Sequence, residues 1–426
     1  MINREMIKRR LIEQEEFKRN AFSQKLIQRE IEAKAKKLLN IKLIKAILGP
    51  RRAGKTTLGF LLLETKDFHY VNFDDEVLST LRSQELGNLL ELLNELFGRR
   101  KIIFLDEIQN IDKWELFVNR LHRLNYNIII TGSNSKLLSK ELSSHLGGRV
   151  VSIQLLPFSF REFLLAKGNK INKIHETDQE IGVVKNYLNK YIQYGSFPEV
   201  IIENFDKEVA SSYYNELFST IVERDINQRF KIKYISELKA LSIMLMNYFS
   251  SRISFRKLSN ELGISIHTVK KYIGYFEEAY LFLTSRKYSQ KPKESELSLR
   301  KVYGIDTGII NNFKTTALRD FGRIMENLAA VELKRRNYDL FYYLTKTNRE
   351  IDFVMKKSNK IESLVQVVYD EDGIPGRELK SGIEGCRELR CRKLKVITWN
   401  REDYEKISGI LIEYVPLWKF LLQSMF

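Results

Sequence analysis

Between about residue 41 and residue 156, short apolar runs alternate with amphipathic stretches. "KLIKAIL" (42–48) reads as a buried strand and "KTTLGFLLLE" (55–64) as a helix. "FHYVNFDD" (68–75) is a second strand, "LGNLLELLNELF" (86–97) an amphipathic helix and "KIIFLDE" (101–107) a third strand. "WELFVNRLHRL" (114–124) is a helix, and "YNIIITGS" (126–133) and "RVVSIQL" (149–155) are strands. Such alternation predicts an α/β fold, a mostly parallel sheet with helices on both faces. Pro157, inside "LLPFSFREFLLAKG", marks the change to a helical region that runs to about 300. From about 301 the pattern mixes again, with a helix at "GRIMENLAAVELKRR" and strands at "DLFYYL", "EIDFVMKK" and "SLVQVVY". Residues 1–40 contain no Gly or Pro and set Ile7, Leu11, Phe17, Leu26, Ile31 and Leu38 at mostly helical spacing among Lys, Arg, Glu and Gln. A solvated helix, a helix packed on a neighbour and a helix lying on nucleic acid all fit that pattern. The expected division is a basic helical extension (1–40), an α/β core (41–156), a helical lid or linker (157–230), a basic helical domain (231–300) and a mixed C-terminal domain (301–426). No internal repeat or low-complexity tract interrupts it.

Composition narrows the partners. A chain of 426 residues with 43% hydrophobic content has the length and composition of a multidomain globular protein. Its formal net charge of +17 and pI near 9.5 favour a polyanion, nucleic acid or an anionic surface. The two cysteines, Cys386 and Cys391, fit neither a zinc knuckle nor a disulfide framework and read as thiols in a reducing cytosol. The charged start "MINREMIKRRLIEQEEFKRN" lacks the apolar core of a signal peptide, and no run approaches 18 apolar residues. A cytoplasmic location without a membrane partner is expected.

Candidate chemistry begins at Gly49-Pro50-Arg51-Arg52-Ala53-Gly54-Lys55-Thr56-Thr57, which satisfies G-x-x-x-x-G-K-[ST] between a strand and a helix. The glycines let the backbone curl so that its N–H groups face a phosphate. Lys55 adds a cation for the β/γ-phosphates, Thr56 a hydroxyl for Mg²⁺, and the helix start its dipole. "IIFLDEIQN" ends an apolar run in Asp106, suited to the Mg²⁺ shell, and Glu107, suited to orienting and polarising an attacking water. "IIITGSNS" ends a neighbouring strand in Thr131, Ser133 and Asn134, polar groups for a γ-phosphate or lytic water, although Gly, Ser and Asn also make ordinary turns.

These parts, in this order, resemble the AAA-type ATPases. More narrowly, "GPRRAGKTT", "YVNFDDEVL", "IIFLDEIQN", "IIITGSNS", "LGGRVVSIQLLPFSFREFL" and "YIQYGSFPEV" resemble archaeal and bacterial ATPases. In those proteins an AAA-type domain is followed by a winged-helix region and a nuclease-like domain. The resemblance covers the chain from about residue 42 and implies ATP and Mg²⁺ as ligands and ATP hydrolysis as the activity. It also implies an arginine that reaches a neighbour's γ-phosphate in a homo-oligomer. Arg149, in "HLGGRVV", holds that position, with a structural arginine at a helix end as the alternative. Arg51 and Arg52 are alternative phosphate contacts.

In the middle region, "ISFRKLSNELGISIHTVKKYIGYFEEAYLF" (253–282) has helix-turn-helix spacing and resembles winged-helix domains. Phe255, Leu258 and Leu262 face one way on a first helix, Gly263 turns the chain, and Ile264, Ile266, Val269, Ile273 and Phe276 bury the second. Ser265, His267, Thr268, Lys270 and Lys271 then face outward, where a recognition helix meets a major groove. Residues 231–301 carry 14 Lys and Arg against 6 Asp and Glu, a net +8, which suits phosphate contacts more than base reading. For Glu223, Arg224 and Asp225 in "TIVERDINQRF", helix capping or an interdomain salt bridge is the expected role.

Further on, "GRIMENLAAVEL" and "REIDFVMKKSNKIESLVQVVYD" resemble the PD-(D/E)xK nuclease core. That resemblance puts Glu326 at the helix acid, Asp352 at the strand acid and Gln366 at the start of the E/Q-x-K triplet, but Val368 stands where the lysine belongs. The expectation is a retained fold with hydrolysis lost, unless Lys356, Lys357 or Lys360 substitutes. The chain as a whole is expected to be an ATP-driven switch or motor on nucleic acid, DNA favoured. An ATP-gated metal-dependent nuclease and a regulatory or scaffold ATPase with a protein partner are the alternatives.

Overall fold

A computed structural model describes residues 4–23, 26–133, 146–169, 177–315, 320–357, 360–369 and 376–423. The chain divides into two compact units, Met1–Pro157 and Phe158–Phe426.

In the first unit, strands β1 (Ile44–Leu48), β2 (Phe68–Asn72), β3 (Ile102–Asp106), β4 (Asn127–Gly132) and β5 (Val150–Gln154) form a wholly parallel sheet in the order β2-β3-β4-β1-β5. Among the described residues its α-helices are α1 (Arg4–Ser23), α2 (Glu32–Leu38), α3 (Lys55–Leu63), α4 (Leu86–Phe97) and α5 (Trp114–Arg123). Alternation along the strands divides the core between the two faces. Ile44, Ala46 and Leu48 join Ile103, Leu105, Ile128 and Ile130 against α4 and α5 through Leu89, Leu93, Phe117 and Leu121. Ile47, Phe104, Ile129 and Ile153 join Leu58 and Leu62 of α3. The expected α/β architecture with a parallel sheet is present.

Lys45 is the polar exception inside β1. Its Nζ donates to Ile41 O and Asn127 Oδ1, each at 2.6 Å, and burial pulls its pKa down to about 8. The N-terminal segment is packed, not loose: Ile7 and Leu11 enter the α4/α5 core. Gln14 clasps the backbone of Asn72, donating to its O at 3.0 Å and accepting from its N at 2.8 Å, while Lys18 Nζ donates to Phe68 O at 3.1 Å. Thus α1 covers the otherwise open edge at β2.

The second unit opens with four helices, Phe160–Ala166, Asp178–Tyr194, Pro198–Ile202 and Lys207–Thr220. The last continues into a π-helical stretch, Ile221–Gln228, that carries Glu223, Arg224 and Asp225. Glu223 accepts from Asn227 at 3.2 Å and pairs with Lys239 at 2.6 Å, so within this unit it makes an ion pair.

After the helix Ile235–Asn247 come β6 (Ser251–Ile253), helices Phe255–Leu262 and Ile266–Glu278, β7 (Phe282–Lys287), the helix Pro292–Leu297, β8 (Arg300–Gly304), helices Thr307–Phe313 and Phe321–Arg335, β9 (Phe341–Leu344) and β10 (Glu350–Ile351), the strands forming a sheet ordered β10-β9-β7-β8-β6. Strand β8 therefore crosses the boundary expected at 300/301, and the two segments on either side share one sheet. The last sheet is mixed: β11 (Phe353–Lys357), β12 (Lys360–Val367), β13 (Lys393–Thr398), β14 (Asp403–Ile407) and β15 (Ile410–Pro416) stand in the order β11-β12-β13-β15-β14, with antiparallel outer pairs and parallel inner ones. Among the described residues, no helix is long and apolar enough to cross a membrane.

Candidate functional site

Parallel strands bring their carboxyl ends to one edge of a sheet, and that edge is where an open α/β sheet binds ligands. Here the ends of β1, β3 and β4 bring together residues 49–57, 106–107 and 131–133. The loop between β1 and α3 depends on its glycines. A Cβ at Gly49 would lie 1.9 Å from Leu155 O, so only glycine lets the loop pass the end of β5, and Gly54 has φ +89°.

Lys55, only 5% exposed, donates from Nζ to Pro50 O at 3.1 Å and stands 3.3 Å from Glu107 Oε1. Asp106, 2% exposed, accepts from Thr56 Oγ1 at 2.7 Å, from Tyr70 OH at 3.1 Å and from the Thr131 hydroxyl. Thr131 Oγ1 in turn accepts from Glu107 N at 2.8 Å. Glu107 has φ 49°, in the left-handed region that non-glycine residues seldom occupy and that clusters at functional sites.

The two carboxylates are shifted in opposite senses. Burial, and then the charge of Glu107, raises Asp106 against its hydroxyl donors. Burial alone would raise Glu107 too, but Lys55, Gln109 and Arg51 hold it below the ordinary glutamate range. Glu107 is thus kept as an anion able to accept a proton or orient a water.

No group of three or more His, Cys, Asp or Glu gathers as a metal cage among the described residues. Mg²⁺ at phosphate sites needs only one or two protein oxygens, the rest of its shell being phosphate and water. The adjacent Thr56 hydroxyl and Asp106 carboxylate fit that requirement.

Other expected residues are placed unevenly. Arg51 lies 3.7 Å from Asp74, Arg52 is exposed with φ 61°, and Thr57 is half-buried on α3. Asn134 falls outside the described residues, while Ser133 is buried just beyond β4. Arg149 is exposed at the start of β5, where its O accepts from Ile44 N at 2.8 Å. That is the opposite end of the sheet from the loop, so Arg149 does not join Lys55 of its own chain. Sequence reasoning missed Tyr70 and Arg29. Tyr70 was signalled only by a tyrosine inside an apolar strand, and Arg29 lies in the segment without a recognised motif.

In the second unit, Ser265 caps the helix Ile266–Glu278, accepting from Thr268 N at 3.0 Å. Ser265, His267, Lys270 and Lys271 are exposed and Thr268 is half-buried. Ile266, expected in the core, is 41% exposed, because it occupies the first turn beyond the reach of the packed face at Val269 and Ile273. The ammonium of Lys270 lies 5.5 Å from the Phe255 ring centre and that of Lys271 5.8 Å from Tyr275.

Glu326 and Asp352 also come together, around a residue that sequence reasoning did not single out, while Gln366 precedes Val367, whose N–H reaches Asp352. Lys301 on β8, 2% exposed, stands 2.6 Å from Glu326 Oε1, 2.6 Å from Glu350 Oε1 and 3.2 Å from Asp352 Oδ1. Tyr303 OH donates to Glu326 at 2.7 Å, Val367 N to Asp352 at 2.9 Å and Gln366 Nε2 to Glu378 at 2.8 Å. Gln366 Oε1 is buried without a partner. Burial and Asp352 push Glu326 up to about 8. Burial alone would lower Lys301, but Tyr303 and the acids hold it well above the ordinary lysine range. Val368 packs with Ile351 and Val354 in the apolar core, and Lys356, Lys357 and Lys360 lie at the β11–β12 hairpin tip. The lysine of this cluster is therefore Lys301, not one of those three.

Residues 42–164 match a family model described as an AAA domain. Residues 185–320 and 321–420 match two domains of unknown function, DUF8612 and DUF4143. The uncharacterized protein MJ1544 of Methanocaldococcus jannaschii is 38% identical over 419 residues, covering 93% of this chain and 91% of that one. An uncharacterized protein of Haemophilus influenzae is 30% identical over 396 residues, covering 88% and 94%. Among solved structures, the Walker-type ATPase PABY2304 of Pyrococcus abyssi aligns with 67% of this chain and 95% of its own, at 14% identity and a TM-score of 0.44.

Proposed function

We propose that this chain, which belongs to the same family as those uncharacterized proteins of M. jannaschii and H. influenzae and carries an AAA domain, is a Mg²⁺-dependent ATPase. It uses the nucleotide as a switch or motor on nucleic acid, DNA favoured. The observation that carries this reading is the convergence of Lys55, Thr56, Asp106, Glu107 and Thr131 at one sheet edge. The loop 49–54 and the start of α3 cradle the phosphates, with Lys55 exchanging Pro50 O and Glu107 for phosphate oxygens. Glu107, held ionised, orients the attacking water, and Thr131 fixes the backbone of Glu107. Thr56 and Asp106 would hold Mg²⁺, which when bound neutralises phosphate charge. Arg149 is assigned to a neighbouring subunit's nucleotide.

The nucleic-acid part rests on the net charge of +17 and on the exposed Ser265, His267, Lys270 and Lys271 beside a helix–turn–helix of winged-helix order. The test is steady-state ATP turnover with and without duplex DNA at two salt concentrations. Turnover that rises with DNA, falls with salt and is lost in Lys55→Ala supports the reading. Turnover unchanged in Lys55→Ala overturns it, and turnover indifferent to DNA moves the partner to protein.

A second reading, an ATP-gated metal-dependent nuclease, is favoured by one observation: Lys301 sets an ammonium beside Glu326 and Asp352, where Val368 supplies none. In that reading the acids and the free Gln366 Oε1 would hold the metal and Lys301 would face the scissile phosphate. Plasmid nicking with Mg²⁺ or Mn²⁺ that disappears in Asp352→Ala supports it.

A further inference from the structure

Arg29 lies between α1 and α2, outside the matched AAA domain, yet it is only 5% exposed and ends against the phosphate loop. One terminal nitrogen donates to Ala53 O at 2.8 Å and the other to Leu156 O at 2.7 Å. Ala53 precedes Gly54, so Arg29 grips the peptide plane that joins them. In a trans peptide the C=O and N–H point to opposite sides. Pinning the Ala53 carbonyl on the Arg29 side therefore turns the Gly54 N–H the other way, away from Arg29, and backbone N–H groups of a glycine loop are what receive a phosphate. Gly54 itself sits at φ +89°, and a Cβ there would lie 3.2 Å from the guanidinium, so loop conformation and arginine are fitted to each other. The second bond ties the same guanidinium to the chain just beyond β5, next to Leu155, whose backbone crowds Gly49. One side chain thus bridges the end of the loop and the chain that passes beside its start. Charged donors on carbonyls are among the stronger hydrogen bonds, and a buried guanidinium has no water to fall back on.

We infer that Arg29 is a positioning residue for the nucleotide, and that the segment carrying it is a strap whose docking and nucleotide binding reinforce each other. The inference rests on the ATP reading above. Linkage makes the coupling reciprocal: if the docked strap tightens nucleotide binding, bound nucleotide tightens the strap by the same factor.

The test uses the full chain and Mg·ADP by calorimetry, with amide hydrogen exchange followed in parallel. Arg29→Ala should weaken Mg·ADP about 10-fold, within the usual span of coupling energies, while kcat at saturating ATP stays within about 3-fold. Arg29→Lys, which keeps the charge and one donor direction, should fall between. In wild type, Mg·ADP should slow exchange in residues 26–39 as well as in 49–58, and in Arg29→Ala the slowing at 26–39 should vanish. A merely structural arginine would lower the unfolding midpoint without that nucleotide-dependent signal. Wild-type affinity in Arg29→Ala overturns the inference, and so does wild-type exchange at 26–39 that ignores Mg·ADP, a measurement that decides even if the alanine variant does not fold. Failure of wild type to bind Mg·ADP at all is a separate result that removes the ATP reading and the strap with it.

Discussion

Lys55 and Lys301 are both buried lysines set against carboxylates, and they are built for different ends. Lys55 holds one carboxylate, at 3.3 Å, and one carbonyl, at 3.1 Å. A backbone loop lies beside it, and its partners are ones an ammonium can exchange for phosphate oxygens. Lys301 stands between 2.6 and 3.2 Å from three acids, Glu326, Glu350 and Asp352, and has a donor for each. The acids follow suit: Glu107 is held below its ordinary range as an anion, while Glu326 is pushed up to about 8 and keeps its proton. The same residue types thus give a cation ready to change partners in one place and a largely self-satisfied cluster in the other. What decides is how many opposite charges share the burial.

The largest effect that can break this contrast is on turnover. Glu107→Gln keeps the shape and the Gln109 contact but removes the anion, so ATP turnover should fall by about 10²-fold or more while nucleotide is still bound. Titration of Mg·ADP beside steady-state hydrolysis checks both halves. Near-normal turnover in that variant would make Glu107 a mere partner of Lys55, no different in kind from the acids around Lys301.

Stability separates the two lysines next. Lys301→Met leaves the buried acids Glu326 and Asp352 and the half-buried Glu350 without their ammonium, and removing one partner of a buried ion pair costs about 3–5 kcal/mol. Lys55→Met leaves only Glu107, which Gln109 and Arg51 still support, and should cost less. Urea unfolding followed by probes in each unit would show the Lys301 loss confined to the Phe158–Phe426 unit. Equal losses for the two variants would mean that the acids around Lys301 share their protons so freely that the ammonium is dispensable.

The difference also explains what could be read from the sequence. The parts of the candidate site were legible because they are contiguous strings at strand ends: Gly49 to Thr57, Asp106-Glu107 and Thr131 each carry their own motif, and strand–helix alternation fixes their common edge. Lys301 carried no such signal. It lies 25 residues before Glu326, in a stretch to which the pattern gave no strand, and only the register of β8 against β7 and β6 turns it inward. Glu350 could have been suspected, since it lies two residues before Asp352. Arg29 was invisible for another reason: its partners are the main-chain carbonyls of Ala53 and Leu156, and carbonyls have no residue identity to match. Ile266 was misjudged because helical periodicity was carried one turn past the end of the packed face.

The smallest test concerns protons in the first unit, where burial works on a base instead of an acid. His69 on β2 is fully buried with Nε2 3.3 Å from Asn94 Oδ1, and burial, aided by Arg100, pulls its pKa from 6.5 to about 4. The unfolded chain takes up this proton near 6.5 while the folded chain refuses it until about 4, so across that window the unfolded state binds more protons. Its contribution to stability is complete above pH 6.5 and is lost as pH falls toward 4, with a slope of at most about 1.4 kcal/mol per pH unit for one proton. Glu326 has the opposite sign, since its folded form keeps a proton that the unfolded chain gives up near 4.5, and raising the pH toward 8 works against the second unit. His69→Gln should therefore flatten the acid limb of first-unit unfolding between pH 6.5 and 4 and leave the second unit's profile unchanged. An acid limb just as steep in the variant would mean that His69 is not the proton site behind it, because Glu15 and Glu107, held below 4.5, lose their contribution only at lower pH.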